Sequence, residues 1–169
     1  TVTAEVDTTV LTEAGTKTVT VTYAGKTATF DVTVIAVVMT GIEVTTAPSD
    51  VEYFAGEEIN LDGMVITATF NNGTTEIVEG YTVEADLANA GVNTATVSYN
   101  GFTATFEITV IAVVVDSIEV IAPTKTEYFV GETLDLAGLT VTAIYNNGTR
   151  ETVTAEVDTT VLTEAGTKT

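Results

Sequence analysis

The first eighteen residues, TVTAEVDTTVLTEAGTKT, recur letter for letter as residues 152–169, an offset of 151. A chain that returns to its own sequence must fold by using one local unit more than once. A weaker period lies inside that offset. YFAGEEINLDGMVITATFNNGT at 53–74 comes back as YFVGETLDLAGLTVTAIYNNGT at 128–149, 75 residues on, and VTVTYAGKTATFDVTVIAVV at 19–38 comes back as ATVSYNGFTATFEITVIAVV at 95–114, 76 residues on. The two short steps together span the long one, so two repeat types alternate. Residues 1–38 are then the back half of one repeat, 39–113 a complete repeat of the other type, and 114–169 the front part of a repeat of the same type as 1–38. The expectation is a window on a longer array of beads rather than a solenoid. A head-to-tail polymer, in which the end of each chain completes its neighbour's first repeat, is the rival. The duplicated eighteen residues weigh against it, because both copies would compete for one place.

Within each repeat the apolar residues alternate with polar ones, the period of a half-buried strand. Val19, Val21 and Tyr23 share a face, as do Ala28, Phe30, Val32 and Val34, with Thr and Asp on the other side. The complete repeat places Val97 and Tyr99, then Ala104, Phe106, Ile108 and Val110, in the same pattern. Ala24-Gly25 and Asn100-Gly101 divide these strands, and Asn-Gly is a strong signal for a two-residue hairpin. NNGT at 71–74 and 146–149 marks a second hairpin in each repeat type. No segment carries a helical period. The fold class expected from the strands is all-β, tandem small antiparallel β-sandwiches, with six or seven short strands per repeat.

Composition narrows the chemistry. Of the 169 residues, 24 are acidic and 5 basic, and there is no His, Cys or Trp. No imidazole base, Ser-His or Cys-His pair, His-ligated metal, disulfide or thiolate site is then available. A net charge of −19 excludes a nucleic-acid partner, whose phosphates require a basic footprint. No run of eighteen apolar residues occurs, so no membrane-inserting helix is expected. Residues 39–113 hold eleven acids and no base, so a Lys–Asn isopeptide cross-link cannot form within that repeat. Its stability must come from packing.

The series IEVIAPTKTEYFVGETLDLAGLTVTAIYNNGTRETV, with AGTKTVTVTYAGKTATFDVTV, resembles the bacterial immunoglobulin-like domain of group 3 over essentially the whole chain. The resemblance implies tandem immunoglobulin-like antiparallel β-sandwiches in repeats of exported proteins, extracellular or on the bacterial cell surface. It implies no catalytic or cofactor residue.

The junctions break the alternation. Val34 to Met39 and Val110 to Val115 are continuous apolar runs, where a flexible linker would be rich in Gly, Ser or Pro. The last strand of one repeat is expected to run almost directly into the first of the next. One reading lets alternate residues cap the two adjacent cores. The sharper one covers their other face with a neighbouring repeat or chain, making Ile35, Val37, Val38, Ile111, Val113 and Val114 an interdomain or assembly interface.

Calcium is the ligand to weigh against a plain solvated acidic face. Glu5/Asp7, Glu84/Asp86 and Glu156/Asp158 share an E-x-D spacing that would put both carboxylates on one side of an extended segment, and Glu57, Glu58, Asp62, Glu132 and Asp135 form acidic loops. No dense ligand string occurs, so no metal or other cofactor is assigned. Asn72-Gly73-Thr74 and Asn147-Gly148-Thr149 fit a glycosylation pattern but serve a turn equally well. Tyr53-Phe54 and Tyr128-Phe129 read as one core ring and one outward ring, with sugar stacking as the rival. Small sandwiches offer no deep cleft for a carboxylate pair to hydrolyse a glycoside. The chain therefore reads as a non-catalytic structural unit of an extracellular fibre or surface stalk, its partners being neighbouring repeats and laterally associated copies. The alternative is an adhesin module that binds a glycan or host protein.

Overall fold

In the computed structural model, residues 5–6, 9–158 and 165–166 are described. Among them regular structure is strand throughout, apart from one 3-10 turn at Thr9–Thr12. The fold is the all-β arrangement expected from the alternation, and it is immunoglobulin-like, as the resemblance implies.

The contacts divide the chain into two compact units. The first takes the described residues up to Ser49 with Leu61–Glu84 and Ala95–Phe106; the second takes Asp50–Asn60, Ala85–Thr94 and the described residues from Glu107 on. In the first unit, β1 (Glu5–Val6), β2 (Gly15–Tyr23) and β3 (Lys26–Val34) form an antiparallel sheet in chain order. Strands β2 and β3 pair along their full length, from Gly15↔Val34 to Tyr23↔Lys26. The turn between them holds Ala24 at φ 47° and Gly25 at φ 72°, as a type I′ turn requires.

The first unit also contains β4 (Met39–Thr46), β6 (Val65–Phe70) and β7 (Thr75–Val78), a three-stranded antiparallel sheet in the order β4-β6-β7. Its inner face, with Met64, Ile66, Ala68, Val78 and Val97, makes the core cluster, and Ile42, Val44, Tyr99 and Phe106 pack around it. Ile66 and Val97 are fully buried. This is the inward set that the period of two selects, so hydrophobic burial rather than any covalent staple holds the repeat.

The remaining sheet of the complete repeat has the order β5-β10-β9-β8, from β5 (Glu52–Phe54), β8 (Thr82–Glu84), β9 (Gly91–Tyr99) and β10 (Phe102–Ile111). Strands β9 and β10 contribute residues to both units. The repeat has seven strands, and its turn at Asn100-Gly101 has φ 47° and 84°. One pairing departs from the antiparallel expectation: β5 runs parallel to β10, with Thr109↔Glu52, Val110↔Tyr53 and Ile111↔Phe54 in register. After β4 the chain leaves that strand's sheet and joins the other one, which a period-two pattern does not reveal. The second unit adds β11 (Val115–Ile121), β12 (Thr140–Tyr145) and β13 (Arg150–Val153), an antiparallel sheet equivalent to β4, β6 and β7.

Candidate functional site

The two junctions are built alike, and an asparagine defines each. Residues 35–38 join β3 to β4, and 112–114 join β10 to β11, both outside any strand. Backbone groups there have no sheet ladder and need other partners. Asn71 supplies them: its Oδ1 accepts from the Val38 N–H at 3.0 Å, and its Nδ2 donates to the Ala36 carbonyl at 2.9 Å. Its own N–H donates to the Val38 carbonyl at 3.0 Å. Asn146 repeats the arrangement on Val114 (3.0 Å) and Ala112 (2.9 Å), with its N–H on the Val114 carbonyl at 3.0 Å. The first Asn of each NNGT turn thus clasps the junction that precedes the sheet.

The second Asn holds the turn itself. Asn72 Oδ1 accepts from the Thr74 N–H (3.1 Å) and hydroxyl (2.7 Å), and Asn147 does the same for Thr149. Gly73, at φ 82°, closes the hairpin. The Asn-Gly-Thr triplet therefore has a complete structural account as a turn.

The junction side chains are open rather than alternately buried. Ile35 is 76% exposed and Val37 and Val38, consecutive residues, are both more than half exposed. Val114 is exposed, Val113 half-buried, and Ile111 ends β10 opposite Phe54. The strand-into-strand continuity expected here is interrupted because the Asn clasp, not a ladder, satisfies the backbone.

The acidic candidates are dispersed, and most have local duties. Glu84 ends β8 and is exposed; Asp86 already lies beyond the strand, so the E-x-D spacing does not put the pair on one extended face. Asp86 Oδ1 accepts from the Ala88 (2.9 Å) and Asn89 (3.3 Å) N–H groups, and Oδ2 from Asn89 Nδ2 at 2.7 Å. These bonds, the Asn89 side chain first, hold its carboxyl below the ordinary carboxylate range. Glu156 and Asp158 are exposed beyond β13, Asp7 lies outside the described residues, and Glu5 is described only as part of β1. Among the described residues no three acidic, His or Cys side chains come together in a group that could hold a metal ion.

The Tyr-Phe-x-Gly-Glu motif is a self-closing turn. Tyr53 is buried and its hydroxyl lies 2.8 Å from the Asp50 carbonyl and 3.0 Å from that of Asn60, while accepting from the Asn60 N–H. Glu57 Oε2 accepts from the Phe54 N–H at 2.8 Å, across a turn with Gly56 at φ 89°. Tyr128, Phe129 and Glu132 reproduce this, and Lys125 adds an ion pair to Glu132 at 3.0 Å and sits 4.4 Å from the Tyr128 ring centre. The Phe129 N–H first, then Lys125, lower the Glu132 pKa. Tyr53 is the core ring the sequence implies. Phe129, by contrast, is 83% exposed. An open, shallow concavity also lies beside β7, lined by Met39, Phe70, Ile77, Val78 and Tyr99 with Glu76 and Glu79.

Sequence reasoning placed the junctions but missed Asn71 and Asn146. The available signal was the doubled Asn, one more than a hairpin turn needs, at the same place in both repeats.

The chain is 32% identical over 128 residues to pectate lyase L of Thermoclostridium stercorarium, covering 74% of this chain and 10% of that protein. It is 35% identical over 104 residues to an exo-beta-1,6-galactobiohydrolase of Bifidobacterium longum subsp. longum, covering 60% of this chain and 7% of that protein. The chain thus spans a tenth or less of these relatives. A solution structure described as that of a surface protein is 25% identical, with a TM-score of 0.27, over 46% of this chain and 92% of its own. The profile of the bacterial Ig-like domain (group 3) matches residues 46–110 and 121–169. With two separate matches that take in both repeat types, the chain belongs to the bacterial Ig-like domain (group 3) family.

Proposed function

We propose that this chain is a non-catalytic structural spacer: tandem Ig-like repeats, framed as 1–38, 39–113 and 114–169, that extend a bacterial surface stalk, fibre or secreted enzyme. The observation that carries the reading is the pair of identical Asn clasps at the two junctions. A tether meant only to be flexible would leave its backbone to water, whereas these junctions fix theirs with three hydrogen bonds each. Closely similar repeats add reach without diversifying a binding face. The uniform negative charge opposes collapse between repeats, over roughly 10 Å at ordinary ionic strength. The relatives fit the same role, since this chain matches only a small part of each.

Electron microscopy of the native assembly tests the reading: rods or regular filaments with a two-repeat period are expected, and compact or randomly coiled strings would refute it. The double variant Ile111→Ser, Val113→Ser should change the bend distribution at the second junction; an unchanged distribution would remove these side chains from the account.

A second reading has one specific observation in its favour. Phe129 presents an aromatic ring to solvent, and the two relatives are named as carbohydrate-active enzymes. A glycan-binding accessory module would then gain affinity by multivalency. Retention on immobilised pectate or β-1,6-galactan, lost in Phe129→Ala, would favour it over the spacer.

A further inference from the structure

The concavity beside β7 is lined entirely by the complete repeat, 39–113, and several of those residues change character in the other repeat type. We propose that β7 and this concavity form a docking site for an extended basic peptide. The peptide backbone adds a strand along β7, and a Lys or Arg side chain enters the concavity.

The edge supplies the backbone contacts. β7 ends the sheet order β4-β6-β7, so one side of its backbone has no neighbouring strand among the described residues. The Phe70 N–H donates to the Thr74 carbonyl, and the pairing runs on through Ala68↔Glu76 to Ile66↔Val78. Backbone groups alternate in direction along an antiparallel strand, so Glu76 and Val78 turn theirs to β6, while Thr75, Ile77 and Glu79 turn theirs outward. Edge strands are commonly blunted by Lys, Pro or a bulge. β7 has none of these: it reads TEIV, pairs regularly with β6 from Thr75 to Val78, and leaves Ile77 68% exposed.

The concavity supplies the selectivity. Met39, Phe70, Val78 and Tyr99 give it an apolar wall with two aromatic rings, and Glu76 and Glu79 give it two carboxylates. Glu76 stands opposite Ala68 of the core cluster, so its side chain leaves β7 on the inner face of the sheet. A long cationic side chain meets both demands. Its methylene stem lies on the apolar wall, its charge falls to the carboxylates, and the rings add cation–π attraction.

The other repeat type lacks this combination. There Tyr145 replaces Phe70, and its hydroxyl donates to Glu151, the counterpart of Glu76, at 3.1 Å. Phe70 has no hydroxyl to offer Glu76. Thr152 and Thr154 replace Ile77 and Glu79, and Arg150 replaces Thr75, bringing a cation of its own to that edge. Charge then selects the occupant of β7. Residues 39–113 hold eleven acids and no base, so a second β7 is repelled and a basic segment is attracted.

This surface adds to the spacer role and does not depend on it. NMR titration of the 169-residue chain with a capped hexapeptide of alternating Lys and Thr tests the site. Saturable shifts are expected at the Ile77 and Glu79 amides and the Tyr99 ring, with no comparable change at Thr152. Glu76→Gln should weaken binding about tenfold, through loss of one charge-assisted contact. Phe70→Tyr and Ile77→Thr should each weaken it several-fold, and both guard against misfolding because the other repeat type carries those residues at the same places. Shifts spread evenly over the acidic surface, unchanged affinity in Glu76→Gln, or equal binding of a Glu-Thr hexapeptide would overturn the site. Butylammonium reproducing the Ile77 amide shift would reduce it to a cation pocket and overturn the added strand. Concentration-dependent Ile77 shifts without peptide would overturn it in favour of a second copy. A chain that binds no peptide yet forms rods would overturn the site and leave the spacer role standing.

Discussion

Replacing Asn71 by Ala tests whether the junction is held or merely short. The substitution removes two side-chain hydrogen bonds, to the Val38 N–H (3.0 Å) and the Ala36 carbonyl (2.9 Å), and keeps the backbone bond to the Val38 carbonyl. Each such bond contributes about 0.5–1.5 kcal/mol net, and this exposed site lets water replace part of it, so the loss is about 1–2 kcal/mol. That corresponds to roughly a 5–30-fold change in the local opening equilibrium. The Val38 amide reports it directly: its hydrogen exchange, followed by NMR, should accelerate by that factor. Amides of Ile66 and Ala68 should be far less affected, because their protection follows the core rather than the junction. Asn146→Ala should act in the same way on Val114. Asn72→Ala is the control, since its bonds stay within the turn to Thr74. If the Val38 amide exchanged as in the wild type after Asn71→Ala, the clasp would contribute nothing.

Ile66→Ala, at a fully buried position, should lower stability by about 2–5 kcal/mol in urea unfolding, while Ile77→Ala on the exposed side of the neighbouring strand should stay within about 0.5 kcal/mol. Ala24→Asn should stabilise the β2–β3 hairpin by about 1 kcal/mol, because Ala24 sits at φ 47° where its counterpart is Asn100; slower exchange of hairpin amides would show it. Glu132, held below its ordinary value of 4.5, contributes stability that is present above that pH and is lost as pH falls through its depressed folded value. Urea midpoints of the wild type and Glu132→Gln should therefore differ most above pH 4.5 and converge in acid. Tyr145, raised by its bond to Glu151, acts at the other end: its contribution is present below pH 10 and lost as pH climbs through the higher folded value.

How far the sequence could be read depended on whether a feature was local. The turns at Ala24-Gly25 and Asn100-Gly101 were legible because positive φ leaves few residue choices. Val97, Ile108 and Val110 were legible as core because alternation assigns each residue a face. Alternation does not say which strand lies alongside, so the parallel pairing of β5 with β10 was hidden. Asn71 was hidden for a related reason: its partners are 33 and 35 residues upstream, and nothing nearby distinguishes it from Asn72. The E-x-D spacing misled because it assumes an extended backbone through both carboxylates, and β8 stops at Glu84.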